Sequence, residues 1–151
     1  MSHPVRHSQI LIPAAAACVA LLVVGTISRT LIESTAVAHF LIASMGASSL
    51  MLFVLPTSPL SQPWSLFGGH MVSGFIGISC PLFINDIVLA SSVSVTISMN
   101  SMLSLRSLHP PGGATARIPI LLVAALNECG HQSIFTPIAI IVLSAIILSL
   151  L

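Results

Sequence analysis

Residues 88–117 read VLASSVSVTISMNSMLSLRSLHPPGGATAR, and the fold turns on them. From Asp86 to Arg106 the chain carries no ionic side chain, a run long enough to cross the hydrocarbon layer as a helix of about 20 residues. Pro110 and Pro111 then stop that helix, Gly112 and Gly113 permit tight backbone geometry, and Gly113-Ala114-Thr115 opens a second helix past Arg117. A span, a break and a new span in close succession mark a polytopic helical membrane protein.

The rest of the chain agrees. Of 151 residues, 56% are hydrophobic and 5% charged: four Arg, no Lys and three acidic residues. A soluble domain carries roughly 25% charged residues, and seven ionic groups at a mean hydropathy of +1.11 cannot cover a surface in water. The length allows five or six crossings and no soluble catalytic domain. A formal net charge of +1 without a basic cluster gives no footprint for nucleic acid. Cys18, Cys80 and Cys129 are odd in number and unpaired in spacing, which argues against a disulfide framework or thiolate metal site.

Ionic residues divide the chain into six segments, near 10–28, 36–55, 67–84, 88–106, 111–126 and 134–151, after a short N-terminal tail at 1–9. Segments 36–55 and 111–126 are short once their polar or Gly/Pro starts are discounted. The fold expected is therefore all-α: a transmembrane helix bundle of about four full spans plus two short or half-spanning segments. Continuous apolar runs of this length exclude a barrel, whose strands alternate over about ten residues. The first run resembles a signal peptide, but Ala14 to Ala17 precede its most apolar part, the reverse of a signal's order; it reads as an uncleaved span. Arg6, Arg106 and Arg117 against Arg29 favour a cytoplasmic N-terminus.

Two segments carry packing patterns. Gly69, Ser73 and Gly77, with Gly74 beside them, form a small-xxx-small stripe for close helix approach or the wall of a permeation path. Ser91, Ser94, Ser98 and Ser101 fall on one stripe of the next span; hydroxyls there can bond the preceding turn's carbonyls. Asn100 needs several partners and either joins helices or faces a hydrated pathway.

The His109-Pro110-Pro111 break carries the densest chemistry. An irregular backbone followed by a helix N-terminus offers free N–H groups to an anion, with Arg106, His109 and Arg117 around it; a plain loop with flanking arginines is the competing reading. Gly46-Ala47-Ser48 repeats Gly113-Ala114-Thr115 at an offset of 67 residues. If the first and fourth spans are the matching leading helices, each half has three crossings and the halves form an inverted repeat, in which two half-helix N-termini meet near the midplane; chance recurrence of a triplet common in membrane helices is the competing reading. The stretch Pro56 to Trp64 is stiffened by three prolines, and Trp64 suits an interface. His70 is either an interface residue or a donor or proton relay lining a path. His39, His70, His109 and His131 lack metal-site spacing, and no cofactor is expected.

The chain resembles the HPP family of integral membrane proteins. The resemblance rests on His109-Pro110-Pro111 with Gly113-Ala114-Thr115-Ala116, on Met45-Gly46-Ala47-Ser48, and on Ser58-Pro59-Leu60-Ser61-Gln62-Pro63 with Gly68-Gly69-His70. It covers roughly residues 10–151. It implies about four transmembrane segments and, from plastid and cyanobacterial members, nitrite transport. Gly112 stands where many members have Ala, a change expected to matter little, and the C-terminal regulatory domain of some relatives is not implied.

Together these readings give a multi-pass protein passing a small inorganic anion such as nitrite, without enzymatic chemistry. Backbone N–H groups at Gly46, Ala47, Gly113 and Ala114 would hold the anion, with the Ser48 and Thr115 hydroxyls assisting. Arg106 and Arg117 would attract it to one mouth, Asn100 would line its path, and His70 or His109 would accept a coupled proton. The partners are the lipid bilayer, the anion and a second copy in a homo-oligomer; with no transit segment ahead of the first span, the address is a bacterial inner membrane. The rivals are a non-transporting membrane scaffold or assembly subunit, and an intramembrane enzyme, for which Glu33, Asp86 and Glu128 all fall in predicted loops.

Overall fold

Each break in the chain has a local cause in the computed structural model, which describes residues 7–31 and 35–125. Helix α1 spans His7–Leu31, α2 Thr35–Val54, α3 Pro63–Ser79, α4 Ile87–Ser104 and α5 Pro111–Ala125. Short 3-10 turns occupy Pro59–Ser61 and Cys80–Leu82. Among the described residues there is no strand. Segment 134–151, with Glu128, Cys129 and His131, lies outside them.

The helix ends follow from particular residues. Pro63 occupies the first turn of α3, where its missing N–H costs nothing. Asp86 caps α4, its side chain accepting the Leu89 N–H at 2.7 Å. At the other end Arg106 takes a left-handed conformation, φ 53°. The Ser107 N–H donates to the Met102 carbonyl and the Arg106 N–H to that of Leu103, at 2.9 and 3.2 Å. That double bond pattern is a Schellman ending, built on arginine where glycine is usual. His109 and Pro110 then supply the carbonyls for the Gly112 and Gly113 N–H groups, at 2.8 and 3.0 Å, and α5 begins.

α3 packs against α4 and α5, α5 also against α4 and α2, and α1 against α2. The small-residue stripe is used for packing: a side chain at Gly77 would strike the Ala116 carbonyl of α5. The serine stripe of α4 faces inward, with Ser91, Ser94 and Ser98 buried and Ser94 Oγ donating to the Ala116 carbonyl at 3.2 Å. Among the described residues two helical stretches, Pro63–Leu82 and Ile87–Ser104, are long and apolar enough to cross a membrane.

Polarity is inverted relative to a soluble protein. Ser44, Ser48, Ser49, Ser61, Ser65, His70, Ser73, His109 and Thr115 are buried, while Phe75, Phe83 and Val88 are 73%, 85% and 73% exposed. Such a surface is stable against lipid, which leaves the polar groups to pair inside.

The half-helix reading of 36–55 does not hold. α2 runs unbroken for 20 residues, because no Pro or Gly precedes Gly46 within it, so Gly46-Ala47-Ser48 lies inside a helix. The second copy, Gly113-Ala114-Thr115, does lie near a helix start. The two triplets are thus not facing N-termini, and the backbone N–H groups of residues 46–48 serve the helix ladder instead of an anion.

Candidate functional site

Four of the residues singled out in the sequence converge, with Ser44, on one buried cluster. α2 supplies Ser44 and Ser48, one turn apart; α3 supplies His70; α5 supplies Thr115; the break between α4 and α5 supplies His109. His70, His109, Ser44 and Ser48 are fully buried and Thr115 nearly so. Ser48 Oγ lies 3.0 Å from both His70 Nε2 and His109 Nε2. Thr115 Oγ1 lies 2.8 Å from His70 Nδ1 and 2.9 Å from Ser44 Oγ. The imidazoles meet edge to face, their centroids 5.0 Å apart.

One backbone atom sets the direction of every proton in this chain. His109 Nδ1 stands 2.8 Å from the Leu60 carbonyl. A carbonyl can only accept, so Nδ1 carries the hydrogen, and for a neutral ring Nε2 is then the acceptor. Ser48 Oγ–H donates to it, which leaves the Ser48 oxygen to accept from His70 Nε2–H. His70 Nδ1 therefore accepts from Thr115 Oγ1–H, and Thr115 accepts from Ser44 Oγ–H. The result is an ordered chain, Ser44 to Thr115 to His70 to Ser48 to His109 to Leu60. The competing acceptors are farther off: the Ser44 carbonyl for Ser48 at 3.3 Å, and the Pro111 carbonyl for Ser44 and Thr115 at 3.3 and 3.4 Å.

The proline-rich loop aims the Leu60 carbonyl. Ser58 Oγ accepts the Leu60 N–H at 3.3 Å, Ser61 Oγ donates to the Met51 carbonyl at 2.9 Å, and Ser65 Oγ donates to that of Pro59 at 2.8 Å. Gly69 lets His109 approach α3, since a Cβ there would sit 2.5 Å from His109 Cβ. Gly112 is equally constrained: a Cβ would lie 2.9 Å from Ser73 Oγ, 3.0 Å from the Gly69 carbonyl and 3.1 Å from Met102 Sδ. Alanine at 112 is therefore not the minor change expected from the sequence.

The remaining predicted site residues stand elsewhere. Gly46 has open space beside it, and Ala47 and Ala114 face outward. The Gly113 N–H, expected to help hold an anion, is taken by the Pro110 carbonyl, as the Gly112 N–H is by that of His109. Asn100 is exposed and its Nδ2 donates to the Thr96 carbonyl of its own helix at 3.0 Å, so it does not enter the cluster. Arg106 and Arg117 do not share a mouth. Arg106 caps the end of α4, whereas Ala116, bonded to Ser94, places Arg117 level with the middle of α4, about 15 Å away along the axis. Trp64, expected at an interface, donates its Nε1–H to the Leu105 carbonyl at 3.2 Å.

Sequence reading does not single out Ser44 or the Leu60 carbonyl. Ser44 has a signal, its four-residue spacing before Ser48. A backbone acceptor has none.

A bundle with an apolar exterior and a buried histidine–hydroxyl chain at a His-Pro-Pro break defines the class: a multi-helical membrane protein with a polar interior. The chain belongs to the HPP family, matching its transmembrane region over residues 2–151. Two proteins of Dictyostelium discoideum, each named only as a transmembrane protein, are similar to it. One is 38% identical over 104 residues, covering 66% of this chain and 33% of the relative; the other is 37% identical over 102 residues, covering 65% and 35%. The matched stretch thus spans about a third of those relatives' length. No solved structure matches.

Proposed function

We propose that the protein moves a small inorganic anion, such as nitrite, across its membrane together with a proton, without covalent chemistry. The observation that carries this reading is the ordered chain of neutral donors and acceptors from Ser44 to Leu60. A bare monovalent ion is costly in lipid, and an anion accompanied by one proton crosses as a neutral pair. A neutral imidazole can take a proton at one nitrogen and release one at the other. Two of them bridged by Ser48 can shift protons in concert from Thr115 to His109 without a lasting charge, His109 releasing its Nδ1 proton to an acceptor that displaces the Leu60 carbonyl. The proposed setting is a homo-oligomer in a bacterial inner membrane.

Proteoliposomes with an internal pH indicator test this reading. Nitrite should enter faster than in empty vesicles, with internal acidification, and Ser48→Ala should slow both. Equal nitrite and proton uptake with and without the protein removes the proposal. One observation favours a second reading, a non-transporting scaffold: among the described residues the cluster is closed, and the two described grooves lie on other faces. On that reading Ser48→Ala lowers stability and changes no flux.

A further inference from the structure

Arg117 stands beside a groove of about 590 Å³ lined by Ile87, Val88, Ser91, Ser92, Val95 and Thr96. Its level, next to Ala116 and opposite Ser94, is halfway along a helix apolar enough to span a membrane. Among the described residues the guanidinium has no carboxylate and no hydrogen-bond acceptor. Ser91, on the groove's wall, is buried, and its hydroxyl also lacks a partner among them. Ser92 and Thr96 differ, since each hydroxyl donates to a carbonyl one turn back, at 2.8 Å. Among the described residues an unpartnered cation and an unused hydroxyl therefore flank the same space at mid-depth, where ionisable groups normally have a partner or line a pathway.

We propose that this groove is the intramembrane binding site of the transported anion, a site distinct from the histidine cluster; the proposal rests on the anion-transport reading. A guanidinium presents parallel N–H groups that fit a planar oxyanion in two-point fashion. Nitrite, nitrate and small carboxylates have that geometry. Ser91 Oγ–H, turned about χ1 into the groove, supplies the third donor. Ile87, Val88 and Val95 give the groove aliphatic walls, and with lipid against this open face the charge pair is strengthened by the low dielectric.

Calorimetric titration of nitrite into the full chain in nanodiscs of zwitterionic lipid is the direct test, with nitrite uptake measured in parallel. Saturable binding should weaken about tenfold or more in Arg117→Gln, as when one member of a hydrogen-bonded charge pair is removed. It should weaken less in Ser91→Ala and persist in Ser48→Ala, where only transport suffers. Arg117→Lys, with the charge kept and the fork lost, should retain weak binding and serves where Arg117→Gln fails to fold. Wild-type affinity in both arginine variants overturns the site while leaving the transport reading intact if uptake continues. Loss of oligomerisation with unchanged nitrite binding in Arg117→Gln also overturns it, by assigning the groove to a second copy. Absence of both binding and uptake in the wild type overturns the transport reading, and the site with it.

Discussion

Replacing Ser48 by alanine removes one oxygen and orphans two nitrogens. His109 Nε2 loses its donor and His70 Nε2–H its acceptor, both at positions closed to solvent. Leaving a buried polar group unpaired costs about 1–3 kcal/mol. In membranes the reference state finds partners of its own, and measured hydrogen bonds there fall toward the low end. Two orphans at the low end give about 2 kcal/mol, roughly a thirtyfold change in the unfolding equilibrium. The small cavity left by one hydroxyl adds little. Reversible unfolding in mixed micelles measures the loss directly, and Ser48→Thr, which keeps the hydroxyl, should recover most of it. A Ser48→Ala/His109→Ala double mutant should be less destabilised than the sum of the singles, because the second change removes an atom already stranded. Stability of Ser48→Ala within about 0.5 kcal/mol of wild type, the range of an indifferent surface change, would refute the assignment of Ser48 as the bridge.

Three further outcomes follow from the geometry. Nitrogen NMR of labelled histidines should find His109 protonated at Nδ1 and His70 at Nε2, and the opposite tautomer at either ring breaks the ordered chain. Gly112→Ala should lower the thermal midpoint by an amount corresponding to about 1–3 kcal/mol of overpacking, with partial recovery when Ser73→Ala removes the nearest atom. Arg106→Gly should raise stability by about 1 kcal/mol and Arg106→Val lower it, since the left-handed position suits glycine and opposes a branched Cβ; unfolding midpoints of the two variants check the sign.

Some of this was readable from residue order. The His-Pro-Pro break ends α4 and starts α5 where the prolines require, and the runs at 10–28, 36–55, 67–84, 88–106 and 111–126 correspond to helices with ends shifted by a few residues. α1 begins inside the expected tail, at His7. Ser48, His70, His109 and Thr115 were legible because imidazoles and repeated hydroxyl motifs are conspicuous in an apolar chain. Their convergence was not, since periodicity reports which face of a helix is polar and never which helix opposes it. The error at Gly46 came from reading a triplet without its context: residues 36–45 contain nothing to start a new helix. The pairing of Arg106 with Arg117 failed for a metric reason. Eleven positions look adjacent in sequence, but α5 starts at Pro111, so Arg117 is carried well along the length of the bundle. Asn100 illustrates a further limit, as a helical side chain can satisfy its amide on its own backbone.

The hydroxyls of α2 have a bearing on the order in which the protein is made. Ser48 is synthesised long before His109, so α2 is made with its eventual partners absent. Its serines can wait: Ser49 Oγ donates to the Met45 carbonyl at 2.8 Å, and the Ser44 carbonyl lies 3.3 Å from Ser48 Oγ. A nascent α2 can thus be inserted with its polar atoms turned onto its own backbone. Ser48 then exchanges that internal bond for the histidines when the His-Pro-Pro segment emerges. Serine, short enough to reach either partner, allows assembly to proceed helix by helix, which a lone histidine at position 48 would obstruct.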